Sequence, residues 1–240
     1  MLRNFGRSRL LALLVICIYS VVKELSMKIR SSLIASTLAV SAFSGLASAE
    51  GPVSANIALT SDYVWRGTSQ TDSNPAIQGG FDYAHESGVY VGVWGSNVDF
   101  GDDANIELDL YVGFSNELSN GFSYDVGFIH YDYPGESDSD FDEIYLGVGY
   151  GFFSAKVSHD PENDNTYWEA GADFELPQGF GLGLHVGYND PDSGDEATDW
   201  KIGISKSLVG LDFELAYTDT DINDDDLSDE RVIFTVSKSF

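Results

Sequence analysis

Cysteine is almost absent from this chain, and long apolar runs are absent from most of it. The one cysteine, Cys17, lies near the amino terminus, so no disulfide, thiolate metal site or cysteine nucleophile can form farther along. Beyond residue 49, no stretch approaches the roughly 18 consecutive apolar residues of a membrane helix. Cysteine chemistry and helical membrane crossing are therefore excluded for residues 50–240.

Basic residues are also scarce. The chain has 12 Lys and Arg against 39 Asp and Glu, a formal net charge of −27. Six of the bases and one of the acids lie in residues 1–49, so six bases against 38 acids remain beyond it, or −32. A surface this acidic repels nucleic acid, and we expect no nucleic-acid partner.

The amino terminus has the features of an export signal. A basic segment at 27–30, an apolar small-residue segment at 33–46 and Ala-Ser-Ala at 47–49 follow in order. This order predicts a signal peptide cleaved after Ala49. We interpret residues 1–49 as leader and signal peptide, with Met27 as the true start, and residues 50–240 as one outer-membrane domain. A long two-part leader is the alternative.

Apolar and polar residues alternate beyond residue 50. In one example, Ile106 and Leu108 share a parity, and Glu107 and Asp109 take the other. A period of two predicts strands, and strands of about 9 to 11 residues can cross a bilayer. We predict twelve strands, at 53–65, 76–84, 89–96, 104–114, 122–131, 142–150, 152–159, 167–176, 180–188, 198–206, 211–217 and 231–240.

The connections between these strands alternate between short and long. The short ones include 85–88 and 177–179, whereas those at 132–141, 189–197 and 218–230 are long and acidic. Short periplasmic turns and long outer loops are typical of bacterial membrane barrels. The sequence therefore predicts an all-β fold, an antiparallel transmembrane β-barrel of about 12 strands. A soluble periplasmic sandwich or barrel is the alternative.

Charges follow the polar parity of the strands. A base facing lipid at mid-membrane costs about 2–4 kcal/mol, so we assign these charges to the lumen. The pore-lining candidates are Glu107, Asp109, Asp125, Glu143, Lys156, Glu169, Asp173, Lys201, Asp212, Glu214 and Arg231. The excess of acids predicts a preference for cations. Conduction and a side-chain-plugged lumen both remain open at this barrel size.

Two aromatic, glycine-containing motifs occur early in the domain. They contain Ser61, Asp62, Tyr63, Arg66, Gly67, Ser69 and Gln70 in the first and Trp94 and Gly95 in the second. In these two motifs the chain resembles a proteobacterial family of exported proteins known as TorF-like porins or Gcw-type conserved hypothetical proteins. The resemblance extends over essentially all of residues 50–240 and implies a small outer-membrane barrel. It implies no substrate and no catalytic residue.

An acidic loop near the carboxyl end is the candidate metal site. Asp219, Asp221, Asn223, Asp225 and Glu230 occupy positions 1, 3, 5, 7 and 12 of an EF-hand pattern. The loop lacks the turn glycine at position 6 and is flanked by strands. We predict at most weak binding of Ca²⁺ or Mg²⁺, with a solvated acidic loop as the alternative, and no other cofactor.

A hydrolase is the least favoured possibility. The four histidines form no spaced metal pair, and the His-x-Ser spacing at His85 and Ser87 falls in a predicted periplasmic turn. A serine–histidine site needs a hydroxyl close to the ring and a third member, and no third member is evident. We predict that the protein is not an enzyme.

Together these features predict a porin-like channel for passive diffusion of small solutes, preferring cations, in the outer membrane of a Gram-negative bacterium. The main alternative is a non-conducting surface protein whose acidic loops bind divalent cations or a partner. The expected partners are outer-membrane lipid, lipopolysaccharide and the assembly machinery. A terminal aromatic residue, here Phe240, is typical of chains handed to that machinery. The sequence indicates no oligomeric state.

Overall fold

The structure, a computed structural model, describes residues 52–240. The predicted start at Met27 and cleavage after Ala49 lie outside the described residues. The strands are β1 Val53–Thr60, β2 Val64–Trp65, β3 Thr68–Ser69, β4 Ala76–Ala84, β5 Val89–Asn97, β6 Ile106–Glu117, β7 Phe122–Asp132, β8 Phe141–Tyr150, β9 Phe153–Asp160, β10 Asn165–Leu176, β11 Phe180–Pro191, β12 Ala197–Leu208, β13 Leu211–Thr220 and β14 Arg231–Ser239. Short 3₁₀ turns lie at Ser137–Ser139 and Pro177–Gly179.

Twelve of these strands form one closed antiparallel barrel. From β4 onward each strand pairs with its neighbours along the chain, β1 pairs with β4, and β14 closes the ring against β1. Closure satisfies the backbone of every strand within the sheet and leaves no free edge. The predicted all-β barrel of about 12 strands is confirmed. Strands β2 and β3 pair only with each other.

The two ends of the barrel differ in their connections. Short turns such as 85–88 and 209–210 lie at one end, which we call the turn end, together with the carboxyl terminus. The segments 61–75, 98–105 and 221–230 lie at the opposite end, the loop end. Within residues 52–240, no helix has the length and hydropathy that a membrane span requires.

The outer and inner faces of the barrel differ in chemistry. Apolar side chains point outward along the strands; Leu110 is 52% exposed, Ile144 53% and Leu215 50%. Their sequence neighbours point inward, where the buried residues are largely tyrosines, carboxylates and hydroxyl side chains. This is the reverse of a soluble protein and follows the alternation of membrane barrels, apolar outside and polar inside.

Strand β1 ends earlier than its sequence pattern predicts. The predicted strand 53–65 stops at Thr60, and Val64–Trp65 forms β2 instead. The Thr60 hydroxyl donates to the Asp62 carbonyl at 2.9 Å, and the Asp62 carboxylate accepts from Ser69 at 2.7 Å. Such local bonds from Ser, Thr and Asp compete with a β ladder. The other eleven predicted strands end within three residues of observed ones.

Candidate functional site in the barrel interior

The structure places the predicted pore-lining residues on the inner face of the barrel. Glu107, Asp109 and Glu143 are buried there. The others on this face are Asp125, Lys156, Glu169, Asp173, Lys201, Asp212, Glu214 and, at the loop-end rim, Arg231. That they line a conducting path remains a prediction.

Inward tyrosines of β5 to β8 fill the inner face of strands β4 to β8, which we call the tyrosine half. Tyr90, Tyr111 and Tyr145 are 2%, 5% and 3% exposed. Tyr90 donates to Asp125 at 2.7 Å, and Tyr111 donates to Asp82 at 2.5 Å. Because buried phenols need hydrogen-bond partners, these carboxylates serve to hold the rings in place.

Lysine–carboxylate ion pairs and histidine–carboxylate contacts run along the inner face of strands β9 to β14, which we call the charged half. The pairs are Lys156–Glu169 at 2.7 Å, Glu169–His185 at 3.8 Å, His185–Asp199 at 3.0 Å and Lys201–Glu214 at 3.4 Å. Two cavities of 440 and 310 Å³ lie in the barrel interior, and Lys156, Glu169 and His185 of this half line both. The larger cavity also reaches Asp125 and Tyr145 of the tyrosine half, so the open space borders both halves of the interior.

Strands β2 and β3 form a hairpin, Val64–Ser69, that folds into the lumen at the loop end. Val64 pairs with Ser69 and Trp65 with Thr68, so the connection is a two-residue turn. Its residues, Arg66 and Gly67, have φ of 48° and 83°, as in a type I′ turn. A side chain at residue 67 would overlap Thr220 and Asp199. The tip therefore packs against β12 and β13, the third and second strands from β1 around the ring.

Hydrogen bonds fix the hairpin to the wall on several sides. The Tyr63 hydroxyl donates to Glu107 at 3.0 Å, and the Thr68 and Ser228 hydroxyls lie 2.9 Å apart. Burial and the nearby Glu107 charge raise the pKa of Tyr63 above the ordinary tyrosine value, so this phenol stays a donor. Asp62 accepts from Arg231 at 2.6 Å.

Arg66 at the hairpin tip is bound by a carboxylate and two aromatic rings. Its Nη2 lies 2.6 and 2.9 Å from the two oxygens of Glu143. Its Cζ lies 4.1 Å from the ring centres of both Trp65 and Tyr167. Charge-assisted bonds and cation–π contacts are strong where water is excluded, and the Glu143 side chain is only 3% exposed.

The remaining motif residues support the same hairpin. Trp94 packs edge-on against Tyr63 with ring centres 5.5 Å apart, and Gly95 pairs with Gly79 of β4. The Gln70 N–H donates to the Tyr63 carbonyl at 2.7 Å. Ser61 Oγ accepts from the backbone N–H of Phe234 at 2.9 Å. The sequence motif therefore corresponds to one folded unit, although parity alone did not predict that it enters the lumen.

The acidic loop is not gathered into a metal site. Asp219 accepts from the Thr220 N–H at 2.9 Å, and Asp221 accepts from the Thr198 N–H at 2.6 Å. Asp225 accepts from the Ser228 hydroxyl at 2.7 Å. Across residues 52–240, no three His, Cys, Asp or Glu side chains converge as metal ligands. Weak cation binding by Asn223, Glu230 and their neighbours stays an untested prediction.

His85 and Ser87 contact each other, but only within their turn. The Ser87 Oγ lies 2.8 Å from His85 Nδ1, and the Ser87 N–H donates to the same nitrogen at 3.1 Å. Both residues are exposed at the turn end. The contact closes the turn locally, which accounts for the spacing without chemistry.

Comparison with known proteins places the chain by family and by fold. A model of Gcw_chp, described as a bacterial protein of unknown function, matches residues 46–240. The KdgM porin aligns with a TM-score of 0.54 and 9% identity, over 78% of this chain and 98% of its own. The NanC porin aligns with a TM-score of 0.52 and 7% identity, over 77% and 97%. At these identities the likeness shows the fold alone.

A search of curated proteins gave no match. The Gcw-type resemblance of the two sequence motifs is confirmed, whereas the TorF-like name finds no support in these comparisons. Since the family model covers the whole barrel, the chain belongs to the Gcw_chp family of bacterial proteins.

Proposed function

We propose that this protein is a porin-like channel in the outer membrane of a Gram-negative bacterium, through which small solutes diffuse passively. The observation that carries the proposal is the inverted barrel, with an apolar outer face and a charged inner half that borders open space. Lipid favours such an outer face, and a polar interior accommodates water and solutes. The fold similarity to porins supports the same function.

Export would follow from the signal peptide predicted before residue 50, and outer-membrane lipid and lipopolysaccharide would then surround the barrel. No residue set in the barrel is assigned to catalysis, and no cofactor is part of the proposal. The KdgM porin structure with disordered oligogalacturonate concerns an anionic ligand. The acid excess of this chain disfavours a polyanion, so that ligand is not carried over.

We propose further that the channel prefers cations. Among the predicted pore-lining residues, acids outnumber bases, and Lys156 and Lys201 are each paired with a carboxylate. Fixed charges act over roughly 10 Å at 0.1 M salt, a length similar to the width of a small barrel. The remaining acids leave a negative potential that concentrates cations in the lumen.

The test is single-channel recording of the folded protein in planar bilayers under a salt gradient. The expected result is discrete openings with a reversal potential displaced toward that of the cation. An anion-selective channel would contradict the cation preference. Absence of conductance from heat-modifiable, folded protein would favour the second candidate, a non-conducting surface protein. The hairpin that folds into the lumen at the loop end also favours that candidate.

A further inference from the structure

The hairpin Val64–Ser69 closes the barrel interior at the loop end. The residues that line the 310 Å³ cavity include Val64, Trp65 and Arg66 of the hairpin and continue to Ser239 at the turn end. None of the lining residues comes from loops 98–105, 133–140 or 221–230. In this conformation the interior space thus opens toward the turn end, and the hairpin covers it on the other side.

The group that holds the hairpin tip is a guanidinium in a matching socket. We define the socket as Glu143 of β8 and Tyr167 of β10; Trp65, which belongs to the hairpin, covers the guanidinium only while the hairpin is closed. Glu143 offers both oxygens to Arg66, and the two rings lie against the guanidinium carbon at 4.1 Å. A carboxylate combined with aromatic faces is the environment that recognises a planar guanidinium over a compact ammonium.

Acids outnumber bases around this socket. Glu107 and Asp109 lie beside each other on β6 and act electrostatically on the same region as Glu143. They are 1% and 5% exposed, and Glu107 Oε2 and Asp109 Oδ1 have no hydrogen-bond partner in the described part of the chain. Removing the one guanidinium without a replacement would leave Glu143 buried and unpaired, which is strongly unfavourable.

We propose that the socket is a binding site for guanidinium cations, which Arg66 occupies from within the chain, and that a guanidinium-bearing solute opens the hairpin by taking its place. Glu143 is then paired with a guanidinium both before and after the exchange. The hairpin then acts as a gate. The solute that opens it carries the same guanidinium group as Arg66, which holds it closed. The gate rests on the proposed channel function, whereas the binding site does not depend on it.

The variant Arg66→Asn tests the binding site without disturbing the turn. Asn-Gly is the preferred pair for a type I′ turn, so the hairpin should still form while the socket is empty. We expect calorimetric titration of the purified Arg66→Asn protein with ethylguanidinium to show saturable binding at least tenfold tighter than to the wild type. Ethylammonium should bind at least tenfold more weakly than ethylguanidinium.

Two controls make the binding result decisive. Arg66→Asn combined with Glu143→Gln should lose the binding, and Lys206→Asn, which removes a base far from the hairpin, should behave as the wild type. Heat-modifiable migration establishes that each protein is folded, and Arg66→Gly replaces Arg66→Asn if the latter does not fold. No saturable binding, or equal binding after Glu143→Gln, overturns the proposed site.

Conductance tests the gate separately. We expect the Arg66→Asn channel to carry at least twice the time-averaged current of the wild-type channel. We also expect ethylguanidinium to raise the fraction of time for which the wild-type channel is open. An unchanged current in Arg66→Asn overturns the gate. If ethylguanidinium binds through Glu143 while neither protein conducts, the channel function and the gate both fail and the binding site stands.

Discussion

Tyrosine and glycine face each other across neighbouring strands of the tyrosine half. Tyr90 pairs with Gly113, and Tyr145 pairs with Gly127. A Cβ at either glycine would overlap the phenol that faces it. Because the interior of a small barrel has little spare width, these glycines are needed for the rings to lie flat against the wall.

Replacing Gly127 by Ala should destabilise the barrel, since the three atoms nearest to the added Cβ belong to the buried Tyr145 side chain. Overpacking of this kind costs about 1–3 kcal/mol. Gly147→Ala is the matched control, because its Cβ would meet nothing closer than 3.8 Å. The measurement is the temperature at which each protein loses heat-modifiable migration in detergent gels. Equal temperatures for the two variants would contradict the tyrosine–glycine argument, and Tyr145→Ala should remove the difference.

Glu107 gives a second prediction at the residue scale. It accepts from Tyr63 and faces Asp109, and one of its oxygens has no hydrogen-bond partner among the described residues. Glu107→Gln keeps an acceptor for Tyr63 and supplies a donor to Asp109, so we expect stabilisation by about 1–3 kcal/mol, the usual cost of an unsatisfied buried polar group. Glu107→Ala should destabilise instead. A lower unfolding temperature for Glu107→Gln would contradict this account.

Parity predicted the inward direction of Glu107 and of the other charged residues, because a strand alternates its faces. It did not predict that Tyr90 would meet Gly113 or that Glu107 would meet Tyr63. Those contacts depend on register and on a segment that leaves the sheet. The period of two contains neither kind of information.

At the scale of elements, the hairpin Val64–Ser69 is the feature that the sequence pattern concealed. The alternation of strand β1 continues through Tyr63 and Trp65, so periodicity alone extends the strand. The available signal was Arg66-Gly67, in which glycine permits the positive φ of a tight turn. The side-chain bonds of Asp62 that end β1 depend on residues distant in sequence, such as Arg231, and could not be predicted from a local pattern.

The last strand provides the element-scale prediction. The Phe240 N–H donates to the Ala55 carbonyl at 2.8 Å, and the Ala55 N–H donates to the Phe240 carbonyl at 3.2 Å, so this residue closes the seam between β14 and β1. Phe240 as a whole is 62% exposed. If the ring is the assembly signal, Phe240→Ala should lower outer-membrane yield as strongly as deletion of Phe240, and Phe240→Trp should not.

The seam offers the competing explanation for any loss of yield. Deletion removes both backbone hydrogen bonds, whereas Phe240→Ala removes only the ring. The measurement is the folded, heat-modifiable fraction in outer-membrane preparations. Normal yield from Phe240→Ala together with reduced yield after deletion would assign the effect to the seam and reject the signal role.

For the whole molecule, the sequence predicted a closed barrel with a charged interior but not how that interior is divided. Glu107 and Asp109 of the tyrosine half are buried beneath the hairpin, whereas Asp212 and Glu214 of the charged half line open space. Both sets have the same parity. The difference arises from how the tyrosines and the hairpin fill one side, which is a property of packing in three dimensions.

This division predicts which acids control ion selectivity. Neutralising Asp212 and Glu214 to their amides should move the reversal potential toward zero at 0.1 M salt, because their charges face the space that ions would occupy. The matched change of Glu107 and Asp109 should move it less, since a buried pair is separated from that space by the tyrosine rings. The two effects should converge toward zero in molar salt, where screening shortens to roughly 3 Å. A larger shift from the buried pair would mean that ions pass close to Glu107 and Asp109, and this account of selectivity would be wrong.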